Sequence, residues 1–158
     1  MPHPDFPMNF QFIVEFTNRV YAQDRDFTSV SGLSASLESK LAPKNIFRPN
    51  AARKKILRPT FHPLVLKRAY RPDSKLLEWI MKTLNHHERE KESLTVRLMN
   101  TEHEMICEWR ITDALPIDYH LSELNASNPE ILTETITLKY KYFEAVNSRG
   151  VVVAPVKP

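Results

Sequence analysis

The side chains best suited to chemistry are few, and their spacing works against it. His86-His87 with Glu88 and Glu90 offers imidazole and carboxylate, the ligand types of a zinc site. Adjacent residues on a helix point about 100° apart, so the two imidazoles diverge. The HExxH spacing that would put two histidines on one helical face is absent. The run reads as a solvated helix end, where histidine complements the negative end of the helix dipole. Glu102-His103-Glu104 reads as a surface turn. Cys107 is the only cysteine, which excludes an intramolecular disulfide and fits a reducing compartment. It alternates with Met105 and Trp109 and reads as a small apolar core residue, because a reactive thiol needs an accessible, electropositive setting.

Two glycines, Gly32 and Gly150, are all the chain has. A phosphate cradle needs several, so that backbone can approach the anion. Neither GxGxxG nor GxxxxGK[ST] can be written, and GxSxG is missing as well. No catalytic, cofactor-binding or metal-ligating residue is assigned, and no cofactor is expected. An enzyme built from scattered carboxylates is the one catalytic class left.

The formal net charge is only +3, but it is unevenly placed. Ten Lys or Arg residues lie between Lys40 and Arg71 with no Asp or Glu among them, whereas Glu88–Glu144 holds twelve acidic residues against six basic. A basic stretch can serve nucleic acid or an acidic protein surface. Phe47, Phe61 and Tyr70 are interleaved with it, as in single-strand binders, yet no nucleic-acid motif accompanies them. A protein partner is therefore the favoured reading over nucleic acid. Lys44, Arg48, Arg53, Lys54, Lys55 and Arg58 are the candidate contact residues.

The elements that must carry these residues are mostly strands. With 158 residues, a 42% hydrophobic and a 26% charged fraction, one globular domain over 1–158 is expected, with its core at about 10–144 and terminal extensions at 1–9 and 145–158. No apolar run reaches the length that spans a bilayer. Met1-Pro2-His3-Pro4-Asp5 lacks the basic start and apolar stretch of a signal peptide, so assembly in the cytoplasm is the default. Residues 1–8 read as extended. Phe10, Phe12, Val14 and Phe16 alternate with Gln11, Ile13, Glu15 and Thr17, the period of a strand, and Asn18–Arg25 reads as a turn. A strand pair is expected in Phe27–Val30 and Leu33–Leu41, broken at Ser31-Gly32. Residues 42–59, with three prolines and no period, read as a long extended loop, a class usually functional or disordered.

A strand resumes around Leu64-Val65-Leu66. Asp73-Ser74 then caps a helix over about 74–87, with Leu76, Leu77, Ile80, Met81 and Leu84 at helical spacing and Glu78–Lys82 as an i,i+4 pair. Trp79 lies at the edge of that stripe and is expected to help close the core. Leu94–Leu98 and Met105–Ile111 form a hairpin turned at Asn100-Thr101-Glu102, and Trp109 is expected to be buried. After an irregular stretch at Ala114-Leu115-Pro116, one long strand is expected over Glu130–Glu144, reaching roughly 45 Å. Leu132, Ile136, Leu138, Tyr140 and Tyr142 line one of its faces. Thr133, Thr135, Thr137, Lys139 and Lys141 line the other.

The ordered segments resemble the phage-type tail tube proteins of contractile injection systems. Phe10-Gln-Phe-Ile-Val-Glu-Phe16 and Phe27-Thr-Ser-Val-Ser-Gly-Leu33 look like the family's opening. Leu64-Val-Leu-Lys-Arg68, followed by the helix with Leu77-Glu-Trp79, is similar to its strand-then-helix centre. Leu94–Leu98, Cys107–Ile111, Asp113–Pro116, Glu134–Leu138 and Tyr142-Phe143 resemble its C-terminal half. The resemblance covers about residues 10–144. It departs at Lys40-Leu-Ala-Pro-Lys44, where the family has a Glu-Gly-Gly-like turn, and at Ala69, where it has glycine.

The resemblance implies a tail-tube-like β-barrel or sandwich with one flanking α-helix. It also implies homo-hexameric rings, stacked on neighbouring tube rings inside a sheath and above a baseplate, as shaft or tube initiator, with no membrane partner. The polar face of the last strand then supplies lumen candidates, Thr135, Thr137 and Lys139. The alternative is a monomeric module that binds an acidic partner through the basic 40–71 stretch.

Overall fold

The computed structural model describes residues 11–86 and 88–156, with side chains to 153. The expected extended stretch 1–8, the strand's first residue Phe10 and the second imidazole, His87, lie outside the described residues. Ten strands and one α-helix follow in order: β1 (Phe12–Phe16), a 3-10 turn (Arg19–Tyr21), β2 (Ser29–Ser31), β3 (Ala35–Leu41), β4 (Lys55–Phe61), β5 (Leu64–Ala69), α1 (Lys75–His86), β6 (Glu92–Met99), β7 (Met105–Leu121), β8 (Thr133–Lys139), β9 (Tyr142–Asn147) and β10 (Val152–Val156). The chain is mainly β with one flanking helix, the class its periodicities predict.

One antiparallel sheet runs β1-β6-β7-β8-β5-β2, with β9 added along β7 and β10 along β9. β3 and β4 form a separate two-stranded ribbon. The expected pairing of the segments either side of Ser31-Gly32 is therefore corrected: β2 pairs with β5 and β3 with β4. Gly32 makes the divergence. Its φ is +93°, and a Cβ there would lie 1.9 Å from the Pro63 carbonyl oxygen, so only glycine lets the chain pass.

β7 is the axis of the sheet, 17 residues long and continuous through the stretch expected to be irregular. Its first half lies between β6 and β9, and its second half pairs with β8. The corner falls at Asp113, whose φ is +56°, a region that Asp tolerates better than most residues. A register shift follows between Pro116 and Asp118, the sort of irregularity where a residue without an N–H can sit in a strand. This corner also corrects the single last strand. β8 and β9 both run along one side of β7, so the bend divides them at Tyr140-Lys141. β9 then continues to Asn147 and receives β10, within the segment expected to be a terminal extension.

The core lies inside the curl of this sheet, closed by α1. Ser74 caps the helix by accepting the Leu77 N–H, as its position predicts. Glu78 meets Lys75 at 3.0 Å, where the spacing pointed to Lys82. Leu76, Trp79 and Ile80 are buried. Trp79 packs with Phe16 and Tyr21, ring centroids 5.6–6.1 Å apart, and donates its indole N–H to the Glu90 carbonyl. Burial, with Glu92 and Glu90 near by, pushes the Tyr21 hydroxyl up to about 12. Trp79 is 4% exposed and sits in the core as expected, whereas Trp109, also expected there, is half-buried and packs against the core from its rim. The strand face of Met105, Cys107 and Trp109 extends past the core, so Cys107 is also half-buried, not core. Burial raises its thiol pKa.

A polar node lies beneath the helix start. Arg68 of β5 is completely buried, with Asp24, Glu134 and Ser74 around it. Its Nε donates to Glu134 at 2.5 Å, Nη1 to Asp24 at 2.7 Å and Nη2 to the Ser74 hydroxyl at 2.7 Å. Its guanidinium lies 5.1 Å from the Phe27 ring centroid. Asp24 also accepts the Ser74 hydroxyl and the Leu76 N–H, and Glu134 accepts the Tyr119 hydroxyl at 2.7 Å. Burial, then that bond, raises the Tyr119 pKa and keeps it a donor.

Two stability predictions result. Trp79→Ala opens a fully enclosed site and is expected to cost about 3–5 kcal/mol, with Trp109→Ala clearly less. Urea melts of the two variants check the order, and a larger loss at Trp109 would contradict it. Arg68→Met leaves two buried carboxylates without their cation and is expected to cost about 3–5 kcal/mol. Adding Asp24→Asn and Glu134→Gln should recover much of that loss, and a single variant as stable as the parent would refute the account.

Candidate assembly surfaces

The basic residues predicted as contacts lie on the β3–β4 ribbon and, for the most part, in the connection between its strands. Residues 42–59 are thus not one loop: Lys55–Phe61 is a strand, registered Leu41↔Lys55 through Ala35↔Phe61, and 42–54 is the connection. All seven residues of β3 are exposed. So are Leu57 and Arg58 of β4, while Phe61 at the base packs with Tyr140 and Phe143 at 5.7 and 5.9 Å. The ribbon is rooted in the core by one aromatic and then projects.

Its tip is nevertheless ordered by its own bonds. Asn45 Oδ1 accepts the Phe47 N–H, and the Asn45 and Arg48 carbonyls accept the Arg48 and Ala51 N–H groups. Arg53 Nε donates to the Ala42 carbonyl at 2.6 Å and braces the mouth of the connection. Arg53 therefore has a role inside the chain as well as a place on the surface. Lys44 and Arg48 sit in the connection, Lys54 and Lys55 at its return, and Arg58 in mid-strand. The remaining basic positions of the 40–71 stretch are dispersed: Lys40 meets Glu38 on exposed β3, Lys67 is exposed on the main sheet, Arg68 is buried in the polar node, and Arg71 donates to the Gln23 carbonyl.

A second surface is the outward face of β2, β5, β8 and β7. Cross-strand register places Ser29, Lys67, Thr135 and His120 in one row, and Ser31, Val65, Thr137 and Asp118 in the next. Partners in register share a face, so this wall is hydroxyl-rich with scattered charges of both signs. Thr135 and Thr137 are half-buried and Lys139 is exposed. The opposite face carries Ile136, Leu138 and Tyr140, all buried, as the alternation predicts. It also carries Glu134, which the sequence reading passed over.

The other candidates stay apart. His86 ends α1 in the open, and Glu102-His103-Glu104 occupies an exposed turn held by Asn100. Among the described residues no three His, Cys, Asp or Glu side chains converge to hold a metal, and no helix is long and apolar enough to cross a membrane. The curled sheet leaves a cleft of about 320 Å³ between its edge strands, lined by Phe12, Val30, Leu33 and Trp109. That lining is mainly apolar, with only the side chains of Thr28 and Ser29 as polar groups.

The fold is shared with chains of solved contractile-system structures. A chain of the anti-feeding prophage baseplate is similar over 94% of this chain and 99% of its own, with TM-score 0.71 and 21% identity. A chain of the extracellular contractile injection system PVC, in the sheath-tube complex in the extended state, is similar over 90% and 93%, with TM-score 0.70 and 20% identity. Hcp1 from Flavobacterium johnsoniae is more distant, with TM-score 0.50 and 14% identity over 86% and 94%. No curated protein sequence matches the chain. Residues 8–144, nearly the whole of the main sheet with its helix and ribbon, match the family described as T4-like virus tail tube protein gp19, and the chain belongs to that tail tube family.

Proposed function

We propose that the chain is a structural subunit of the inner tube of a contractile, phage-tail-like particle. It acts as a single tail-tube unit over 1–158, forms hexameric rings, and stacks on further rings within a sheath and on a baseplate, as shaft or as first ring. The observation that carries the proposal is the β3–β4 ribbon. An isolated two-stranded ribbon is marginal in water, and this one exposes Leu37, Leu41 and Leu57 along with its basic residues. Its ordering entropy must be offset by contacts the monomer does not make. A neighbouring copy supplies them if Lys44, Arg48, Arg53, Lys54, Lys55 and Arg58 meet its acidic surface. Exposed ion pairs contribute only about 0–1 kcal/mol each, but a ring repeats every one of them.

The wall bearing Thr135, Thr137 and Lys139 is then the lumen surface, with the strand's apolar face turned into the subunit. β-branched hydroxyl residues hold an extended backbone while tolerating water. Solutions of the protein are expected to contain rings and rods by light scattering and electron microscopy. A clean monomer at high concentration would favour the monomeric binding module.

Reversing Arg53, Lys54 and Lys55 to Glu is expected to abolish stacking while circular dichroism shows the fold retained; rods that assemble normally would sink the ribbon's role. Thr137→Cys, treated with a bulky maleimide after assembly, should react slowly and from the rod ends. Rapid labelling along the whole rod would put that face outside.

A further inference from the structure

We infer that the β7–β8 loop, residues 122–132, is the receptor for the β3–β4 ribbon tip of the next copy, so that subunits join head to tail. This rests on the tube reading above and adds to it a named receiving surface.

The two features lie at opposite ends of the same strands. The ribbon leaves the main sheet where Leu64 of β5 faces Leu138 of β8, and the β7–β8 loop leaves where Ala69 faces Thr133. β5 is six residues long, so the two ends are separated by roughly 20 Å of strand. A protrusion at one end and a receptor at the other make a heterologous contact, which repeats from copy to copy in one direction.

Their chemistry is complementary. The ribbon and its connection, residues 35–61, carry seven Lys or Arg side chains and one acid, Glu38. The β7–β8 loop carries Glu123 and Glu130 and no basic residue. At the ribbon tip Ile46 is 82% exposed and Phe47 87% exposed. In the loop Leu124 is 76% exposed and Ile131 79% exposed. The loop encloses a concavity of about 590 Å³ between residues 122 and 133, room for the two tip side chains.

The loop is also built to keep its shape. Asn125 Oδ1 accepts the Ser127 N–H, and Asn128 bonds Glu130 through side chain and backbone. Its stem is closed by the Ser122 N–H on the Thr133 carbonyl, and by the Tyr70 N–H on the Leu132 carbonyl. Apolar side chains held this openly on an ordered loop, flanked by carboxylates, match an apolar tip flanked by cations. Desolvating the apolar centre would supply affinity, and the charges would set orientation and exclude the reversed pairing.

A complementary charge exchange tests the assignment. One variant carries Lys44→Glu and Arg48→Glu, the other Glu123→Lys and Glu130→Lys. Each alone places like charges across the contact and is expected to lose sedimenting assemblies, with circular dichroism and melting unchanged. Mixing the two should restore assembly, because each variant's tip then meets the other's loop. Phe47→Cys with Leu124→Cys, in a Cys107→Ser background, should give an intermolecular disulfide ladder on oxidation. If the loop variant alone assembles like the parent while the tip variant fails, the ribbon docks elsewhere; this inference is overturned and the tube reading stands. Two folded variants that fail both apart and mixed also overturn it. A parent protein that forms no assemblies removes both.

Discussion

The buried guanidinium of Arg68 is the interaction on which the rest of the structure depends. It touches four separate parts of the chain at once: Asp24 after the 3-10 turn, Phe27 before β2, Ser74 at the head of α1 and Glu134 on β8. Two carboxylates and one cation leave a formal charge of −1 in a site closed to water. That charge is tolerable only because hydroxyl and backbone donors, from Ser74, Tyr119 and Leu76, fill the remaining acceptor positions. A buried pair of this kind adds little net stability over an apolar substitute, while its disruption is costly. Its effect is to permit one docking of the helix and of the 18–27 segment on the sheet, because any other docking leaves a charge unpaired.

The ribbon obeys the opposite economy. The core satisfies every constraint within the chain, whereas β3 and β4 satisfy only their mutual hydrogen bonds and leave apolar and basic side chains in solvent. Two open strand edges and exposed leucines are a liability for a monomer. They are consistent with a chain whose lowest free energy is reached in an assembly. Phe61, held between Tyr140 and Phe143, is where the two regimes meet.

How far the sequence could be read follows from where each signal arises. β1, β6 and β8 show period-2 alternation because one face of each lies on the core, and α1 shows its stripe for the same reason. β4 showed nothing: none of its residues is fully buried and it contains Pro59, so no periodicity was imposed on it. The break at Tyr140-Lys141 was invisible because alternation is strong on both sides, and the cause lies on β7, in the turn of the chain at Asp113. The polar node did leave a trace. Arg68 has the same parity as Leu64 and Leu66, and Glu134 the same as Ile136 and Leu138, so a cation and an anion each stand on a buried strand face. Two such violations of opposite sign are what a buried pair looks like in sequence. The proposed assembly surfaces left less, since exposure on both faces resembles an ordinary loop until the pairing is seen.

The node and the two ends of the subunit are not independent. β5 carries Arg68 four positions after Leu64, where the ribbon joins the sheet, and one before its last residue, Ala69. The guanidinium grips β8 at Glu134, one residue after the β7–β8 loop closes, and Tyr70 then binds that loop's stem through Leu132. At the other end Tyr140 bonds the Gly32 carbonyl, where the chain leaves for the ribbon. The same two strands thus connect the ribbon to the β7–β8 loop through a short, hydrogen-bonded path with one face in the core. A subunit that passes an axial load through such strands transmits it as displacement with little loss to internal bending, because close-packed interiors have low compressibility. On the proposed tube reading, such stiffness is what a stacked subunit needs. On the proposed reading, the buried Arg68 node sits at the receiving end of that path and fixes the loop's origin where a neighbouring copy would push on it.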